Sequence, residues 1–135
     1  MDGKLIYLDP TALSKLVIEA SETDALRDEL ARWPERVTSR LSVVEVVREA
    51  QRRSEAAETA AWRVLSGLAL VNVDEEVLRL AAELKVPDVL PLDAVHIATA
   101  LSLGEDLGAF VSYDGRMLLA AADAGLDVIV PGASL

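Results

Sequence analysis

The feature that most constrains this chain is its alternation of short, continuously apolar runs with longer amphipathic stretches. Leu5-Ile6-Tyr7-Leu8, Leu68-Ala69-Leu70-Val71, Ala109-Phe110-Val111 and Val128-Ile129-Val130 read as buried strands, with Arg36-Val37-Thr38 a weaker one. Between them the spacing of apolar residues predicts helices. These run over 12–20 after a Thr11 cap, 22–33 up to Pro34, 40–53, 55–67 up to Gly67, 74–85 from an Asp74 cap, 93–103 and 114–123. Pro87 and Pro91 bracket a loop before the 93–103 helix. Strands that are apolar throughout, rather than at every second residue, are buried on both faces. Alternating with helices, they imply a three-layer α/β/α domain with a central, mostly parallel sheet. The chain has 135 residues and no repeat, low-complexity tract or linker, which suits a single domain over 1–135.

Composition narrows the chemistry. A hydrophobic fraction of 52% supplies a core and argues against disorder. No apolar run approaches the roughly 20 residues needed to span a bilayer. The Met1-Asp2-Gly3-Lys4 start lacks a signal-peptide pattern. The expectation is a soluble, cytoplasmic protein without a membrane partner. There is no cysteine and one histidine, so thiolate and multi-histidine metal sites are excluded. The net charge of −10 repels polyanions, so a nucleic-acid substrate would need local charge reversal by bound cations or an arginine cluster. Ten of the thirteen basic residues are Arg, the type suited to bidentate phosphate contact.

In parallel α/β sheets, ligands bind outside the carboxyl ends of the strands. Asp9 directly follows the first strand, and Asp114 follows Val111 within three residues, so both belong at one edge of the sheet. Each could also simply cap the helix after it. Asp93 opens LDAVHIATAL, a segment apolar on nearly every side, where only Asp93, His96 and Thr99 share a polar strip. Such a helix belongs in the interior, and its N-terminus stabilises a carboxylate. Asp93 is thus either an N-cap or a ligand facing a cleft. Glu45 lies opposite the face formed by Val43, Val44, Val46, Val47 and Ala50, alongside Arg48, Glu49 and Arg52. That reads as a solvated face, unless the face borders the cleft. Carboxylates gathered at one edge repel, and some hold protons unless a cation joins them. Hard oxygen donors suit Mg²⁺ or Mn²⁺, which polarise phosphate and generate a hydroxide nucleophile from water.

Taken in order, LIYLDPTAL, SVVEVVREA, LDAVHIATAL and FVSYDGRML resemble the acidic motifs of PIN-domain nucleases. The closest resemblance is to VapC-type toxins of toxin–antitoxin pairs, and it covers essentially the whole chain. It places Asp9, Glu45, Asp93 and Asp114 on the family's acidic quartet. Asp9, Asp93 and Asp114 would be the metal ligands, and Glu45 would ligate or position the attacking water. Thr11 stands where the family often has Ser, and Ser112 where it usually has Ser or Thr. The resemblance further implies a magnesium-dependent endoribonuclease acting on RNA, a homodimer, and an antitoxin that blocks the cleft.

Other residues have plainer readings. His96 reads as a packed residue with one satisfied hydrogen bond. Arg48, Arg52 and Arg116 are candidate phosphate contacts, or else surface ion pairs with residues such as Glu49 and Glu45. Trp33 and Trp62 read as core residues, or as marks of a dimer or antitoxin contact. A receiver-like signalling domain would need a Lys near the last strand, but none follows Lys85. A haloacid dehalogenase-like phosphatase would need Asp at position 11, which is Thr. A catalytically silent binding module on the same scaffold stays open.

Overall fold

The computed structural model describes residues 3–133. Five strands form one sheet: β1 (Leu5–Leu8), β2 (Glu35–Ser39), β3 (Ala69–Val71), β4 (Leu107–Val111) and β5 (Val128–Ile129). Their order is β3-β2-β1-β4-β5, and every adjacent pair is parallel. The sequence pattern anticipated all five strands, and "mostly parallel" becomes wholly parallel.

Among the described residues seven α-helices connect them: α1 (Pro10–Val17), α2 (Thr23–Leu30), α3 (Leu41–Gln51), α4 (Glu55–Ser66), α5 (Glu75–Ala82), α6 (Pro91–Leu101) and α7 (Gly115–Asp123). The period-2 geometry of the central strand divides the core between the two helical layers. Ile6 and Leu8 of β1, with Ala109 and Val111 of β4, pack against Leu13, Leu26, Leu30, Val46, Val47, Ala61 and Leu65 from α1–α4. Tyr7 and Phe110 point the other way and pack with Ile97 of α6 and Met117, Ala120 and Ala121 of α7. Their rings stack with centroids 5.2 Å apart.

Two helix starts differ from the sequence expectation, both because of proline. The N-cap of α1 is Asp9, not Thr11. The Asp9 carboxylate accepts from Ala12 N at 2.9 Å, Pro10 fills the first helical position, and Thr11 lies inside the helix. Helix α6 begins at Pro91, so Asp93 lies within the first turn and the N-cap position is Leu90, which has no side chain able to cap. Proline is suited to the first turn, where its missing N–H has no intrahelical partner to lose.

Trp33 packs on the core edge, and its Nε1 donates to Glu29 Oε2 at 2.9 Å. Its ring lies so close to Gly108 that a β-carbon there would collide with it and with the Gly3 carbonyl. Trp62 is 51% exposed, so core packing does not describe it. No helix among the described residues is long and apolar enough to cross a membrane.

Candidate active site

The chain builds β1, β2 and β3 outward in one direction, then returns to place β4 on the opposite side of β1. Strands β1 and β4 therefore flank the point where strand order reverses, and their carboxyl ends open the crevice in which α/β sheets bind ligands. Asp9 leaves β1 at that point, and Ser112, Tyr113 and Asp114 leave β4 beside it. The two strand ends are joined directly, since Asp9 N donates to Val111 O at 3.1 Å.

A directed chain of hydroxyl hydrogen bonds fixes this edge. Asp114 N donates to Ser112 Oγ at 3.0 Å, and Thr11 Oγ1 donates to Asp9 Oδ1 at 2.6 Å. With the Thr11 hydrogen so committed, Ser112 is the donor in the 3.3 Å contact between the two hydroxyls. Thr11 Oγ1 also accepts from Tyr113 N at 2.8 Å. The hydroxyls at positions 11 and 112 thus clamp the β4 turn to the Asp9 carboxylate.

Asp9 is 1% exposed, and its two oxygens have separate tasks. Oδ1 takes the helix-cap bond and the Thr11 bond, while Oδ2 is buried with no hydrogen-bond partner. The Ser112 hydroxyl favours the charged form of the carboxylate, yet its bonds run to Thr11 and Asp114, so Oδ2 stays unpartnered. Burial outweighs these donors and holds the Asp9 pKa above the ordinary carboxylate range. An ionised oxygen left in this state in the interior is costly and invites a cation.

Asp93 is also held above the usual range, first by burial and then by the negative charges of Asp114 and Glu45, with His96 and Arg116 acting the other way. These couplings bring Asp93, Asp114, Glu45 and Arg116 into one electrostatic neighbourhood. Asp114 caps α7 by accepting from Arg116 N at 3.1 Å. As with Asp9, the cap uses Oδ1 and leaves the other oxygen outside that bond.

Glu45 is where a helical projection misleads. The face opposite the apolar stripe of α3 does not open wholly to water. Glu45 Oε1 accepts from His96 Nε2 at 2.7 Å, and the side chain is 27% exposed. The stripe itself is less uniform than projected, because Val44 is exposed. His96 is fully buried and has two bonds rather than the one expected, the second between Nδ1 and the Tyr7 hydroxyl at 2.7 Å. Sequence reasoning missed this link, although the isolated polar strip of Asp93, His96 and Thr99 on an apolar helix was its visible trace.

Among the arginines, Arg116 acts on an acidic residue of the site, lowering the Asp93 pKa. Arg52 forms an exposed ion pair with Glu49 at 3.0 Å, and Arg48 is exposed. A groove between the α5–α6 connection and α7, lined by Val86, Val89, Leu90, Arg116 and Leu119, lies beside the acidic edge rather than on it.

Among the described residues no three His, Asp or Glu side chains lie together closely enough to hold a metal ion. The donor set nonetheless fits a hard divalent cation. It is all oxygen, it contains an orphaned buried carboxylate oxygen, and its members repel one another. An open set suits Mg²⁺, which keeps several of its own waters and takes few protein ligands.

Fold and edge together define a parallel α/β domain with an acidic site at its topological switch point. The chain belongs to the PIN domain family, whose model matches residues 6–123. It is 44% identical to Ribonuclease VapC46 of Mycobacterium tuberculosis over 126 residues, covering 93% of this chain and 97% of that protein. Ribonuclease VapC47 of the same species is 35% identical over 134 residues, with 96% and 98% covered. The fold matches VapBC2 from Rickettsia felis bound to a promoter DNA fragment, with a TM-score of 0.71 at 11% identity over 94% of this chain and 98% of that one. It also matches VapC20 of M. tuberculosis, described as a sarcin-ricin loop cleaving toxin, with a TM-score of 0.69 at 19% identity over 90% and 95%.

Proposed function

We propose that this protein is a metal-dependent endoribonuclease, the toxin of a toxin–antitoxin pair, hydrolysing RNA phosphodiester bonds in the cytoplasm. The observation that carries the proposal is the unpartnered Asp9 Oδ2, buried at the switch point of the sheet beside Asp93, Asp114 and Glu45. A carboxylate in that state makes sense as a ligand and poorly as a structural group, because its cap and hydroxyl bonds need only Oδ1. The ribonuclease names of the curated relatives point to the same activity.

Asp9, Asp93 and Asp114 would hold Mg²⁺, or Mn²⁺ in its place. When bound, the cation would polarise the phosphate and make a coordinated water more acidic. The chain's own residues divide the remaining work. Asp9 is fixed by Ala12 N and the Thr11 hydroxyl, so its free oxygen keeps one direction. Ser112 and Thr11 hold the turn that carries Asp114. Glu45, tied through Oε1 to His96, keeps Oε2 available to orient a water for in-line attack. Arg116, on the exposed rim, meets phosphate charge, and local cations offset the net charge of −10.

The likeness to VapBC complexes supports an antitoxin partner that covers this cleft. A homodimer is proposed on the same family ground, with the exposed Leu90 and Leu119 on the groove beside α7 as an apolar surface for contact. The test compares wild type with Asp9→Asn and Asp93→Asn on a mixed RNA substrate in Mg²⁺, Mn²⁺ and EDTA. Cleavage that needs the cation and both aspartates is expected. Cleavage persisting in EDTA, or in both variants, would overturn the proposal.

A further inference from the structure

The hydrogen-bonded series Tyr7–His96–Glu45 joins three elements that sequence keeps far apart: β1, α6 and α3. His96 and Tyr7 are fully buried, and Glu45 reaches them from the opposite helical layer, around the carboxyl edge of the sheet. We infer that His96 is a positioning residue for Glu45, its Nε2–H fixing one carboxylate oxygen so that the other faces the acidic edge; this rests on the ribonuclease reading for its consequence, and on geometry alone for the tie itself.

Three observations carry it. First, the hydrogen positions follow from the partners. A carboxylate only accepts, so Nε2 carries a hydrogen, and in a neutral ring Nδ1 accepts from the Tyr7 hydroxyl. Burial raises the Tyr7 phenol far above its ordinary pKa, so that hydroxyl keeps its proton. With a neutral ring the series runs in one direction, phenol to imidazole to carboxylate, and holds the single Nε2–H tautomer. Second, both bonds are 2.7 Å, and the Tyr7 and His96 rings meet edge to face at 72°, so the imidazole is fixed from both sides. Third, Asp93 lies one turn before His96 on α6, and α6 is the best-buried helix of the domain through Ala94, Ile97, Ala98, Thr99 and Ala100. One rigid helix thus sets Asp93 directly and Glu45 through His96, fixing the spacing of two carboxylates that come from different layers.

An imidazole in this role resembles the groups that orient metal-site ligands from behind, whose loss costs about 10- to 100-fold in activity. The first test needs no variant. This is the only histidine in the chain, so ¹⁵N NMR of labelled protein reads one ring. A single Nε2–H tautomer is expected, which becomes a mixture in Glu45→Ala. An Nδ1–H ring, or a wild-type spectrum unchanged by Glu45→Ala, would overturn the tie. The second test is kinetic. His96→Leu should lower kcat on the mixed RNA by about 10- to 100-fold with little change in KM. His96→Gln, which keeps an N–H near the Nε2 position, should recover most of that loss. In a Glu45→Ala background His96→Leu should add nothing. Losses that multiply in the double variant, or His96→Gln no better than His96→Leu, would overturn the positioning role. Should wild type fail to cleave RNA at all, the ribonuclease reading fails, and the ring-nitrogen spectrum still decides the tie.

Discussion

Asp9→Asn should stabilise the metal-free protein while removing its response to Mg²⁺. The amide oxygen of Asn can keep both bonds made by Oδ1, from Ala12 N and from Thr11 Oγ1, so neither the α1 cap nor the hydroxyl chain is lost. What changes is the orphaned position, where a neutral amide nitrogen replaces a buried oxygen that carries charge. A buried group without a partner costs about 1–3 kcal/mol, and more when charged. The neutral replacement retains part of that cost, so the net gain is about 1–2 kcal/mol. For a domain of this length each kcal/mol moves the Tm by about 3–5 °C, giving an increase of roughly 3–10 °C in EDTA. Cation binding at Asp9 should offset that difference. A ligand at a hundred times its Kd adds about 2.7 kcal/mol to the form that binds it. Thermal melts at neutral pH should therefore rank Asp9→Asn above wild type in EDTA and wild type level or above in saturating Mg²⁺. If Asp9→Asn melts below wild type in EDTA, the charge is a structural asset and the reasoning fails. It fails equally if both proteins respond alike to Mg²⁺.

The raised pKa values of Asp9 and Asp93 set a pH dependence of definite sign. Their folded pKa lies above the reference value of 3.8, so their contribution to stability is fully present below that value and is lost as pH rises through the elevated folded pKa. Melts of the metal-free protein should show the advantage of Asp9→Asn over wild type growing as pH rises from acid to neutral. An advantage that shrinks would contradict the stated cause. Thr11→Val should cost about 1–3 kcal/mol by urea unfolding, because Tyr113 N and Asp9 Oδ1 both lose the hydroxyl, whereas Thr11→Ser should cost far less. Equal losses would mean that the methyl group, not the hydroxyl, matters there. Gly108→Ala should cost about 1–3 kcal/mol, because the added carbon meets the Trp33 ring and the Gly3 backbone. An unchanged urea midpoint would show that the Trp33 contact yields freely.

Most of the architecture was legible because the strands announce themselves. Runs such as Leu5–Leu8 and Ala109–Val111 are apolar without alternation, which only a sheet covered on both faces requires. The same rule placed Asp9 and Asp114 at one edge, since both follow strands that run in parallel. The helix starts were less legible, although Asp9-Pro10 and Leu90-Pro91 carried the signal, namely a proline suited to a first turn. The contact between Glu45 and His96 was not legible. A helical projection reports which side of α3 is apolar, but not that its polar side meets α6 around the sheet edge. That contact depends on the crossing of two layers whose residues lie 51 positions apart. The same applies to the Ser112–Thr11 link, a tertiary bond for which neither local sequence offers a pattern. Arg52 pairs with Glu49 at helical spacing, a pair visible in the sequence, while the influence of Arg116 on Asp93 depends on how α6 and α7 meet in the fold.

The chemistry of the cut RNA ends separates a cation-assisted hydrolysis from cleavage through the 2′-hydroxyl. In the proposed reaction, water held at the acidic edge would attack the phosphorus itself, so the 2′-hydroxyl of the RNA would take no part. Mass spectrometry of products from a mixed RNA, digested with Mg²⁺ by wild type, should find linear phosphate ends and no 2′,3′-cyclic phosphate, with no products when EDTA replaces Mg²⁺. Cyclic phosphate ends formed in EDTA would mean that the protein cleaves RNA through the 2′-hydroxyl without a cation, and would contradict the account.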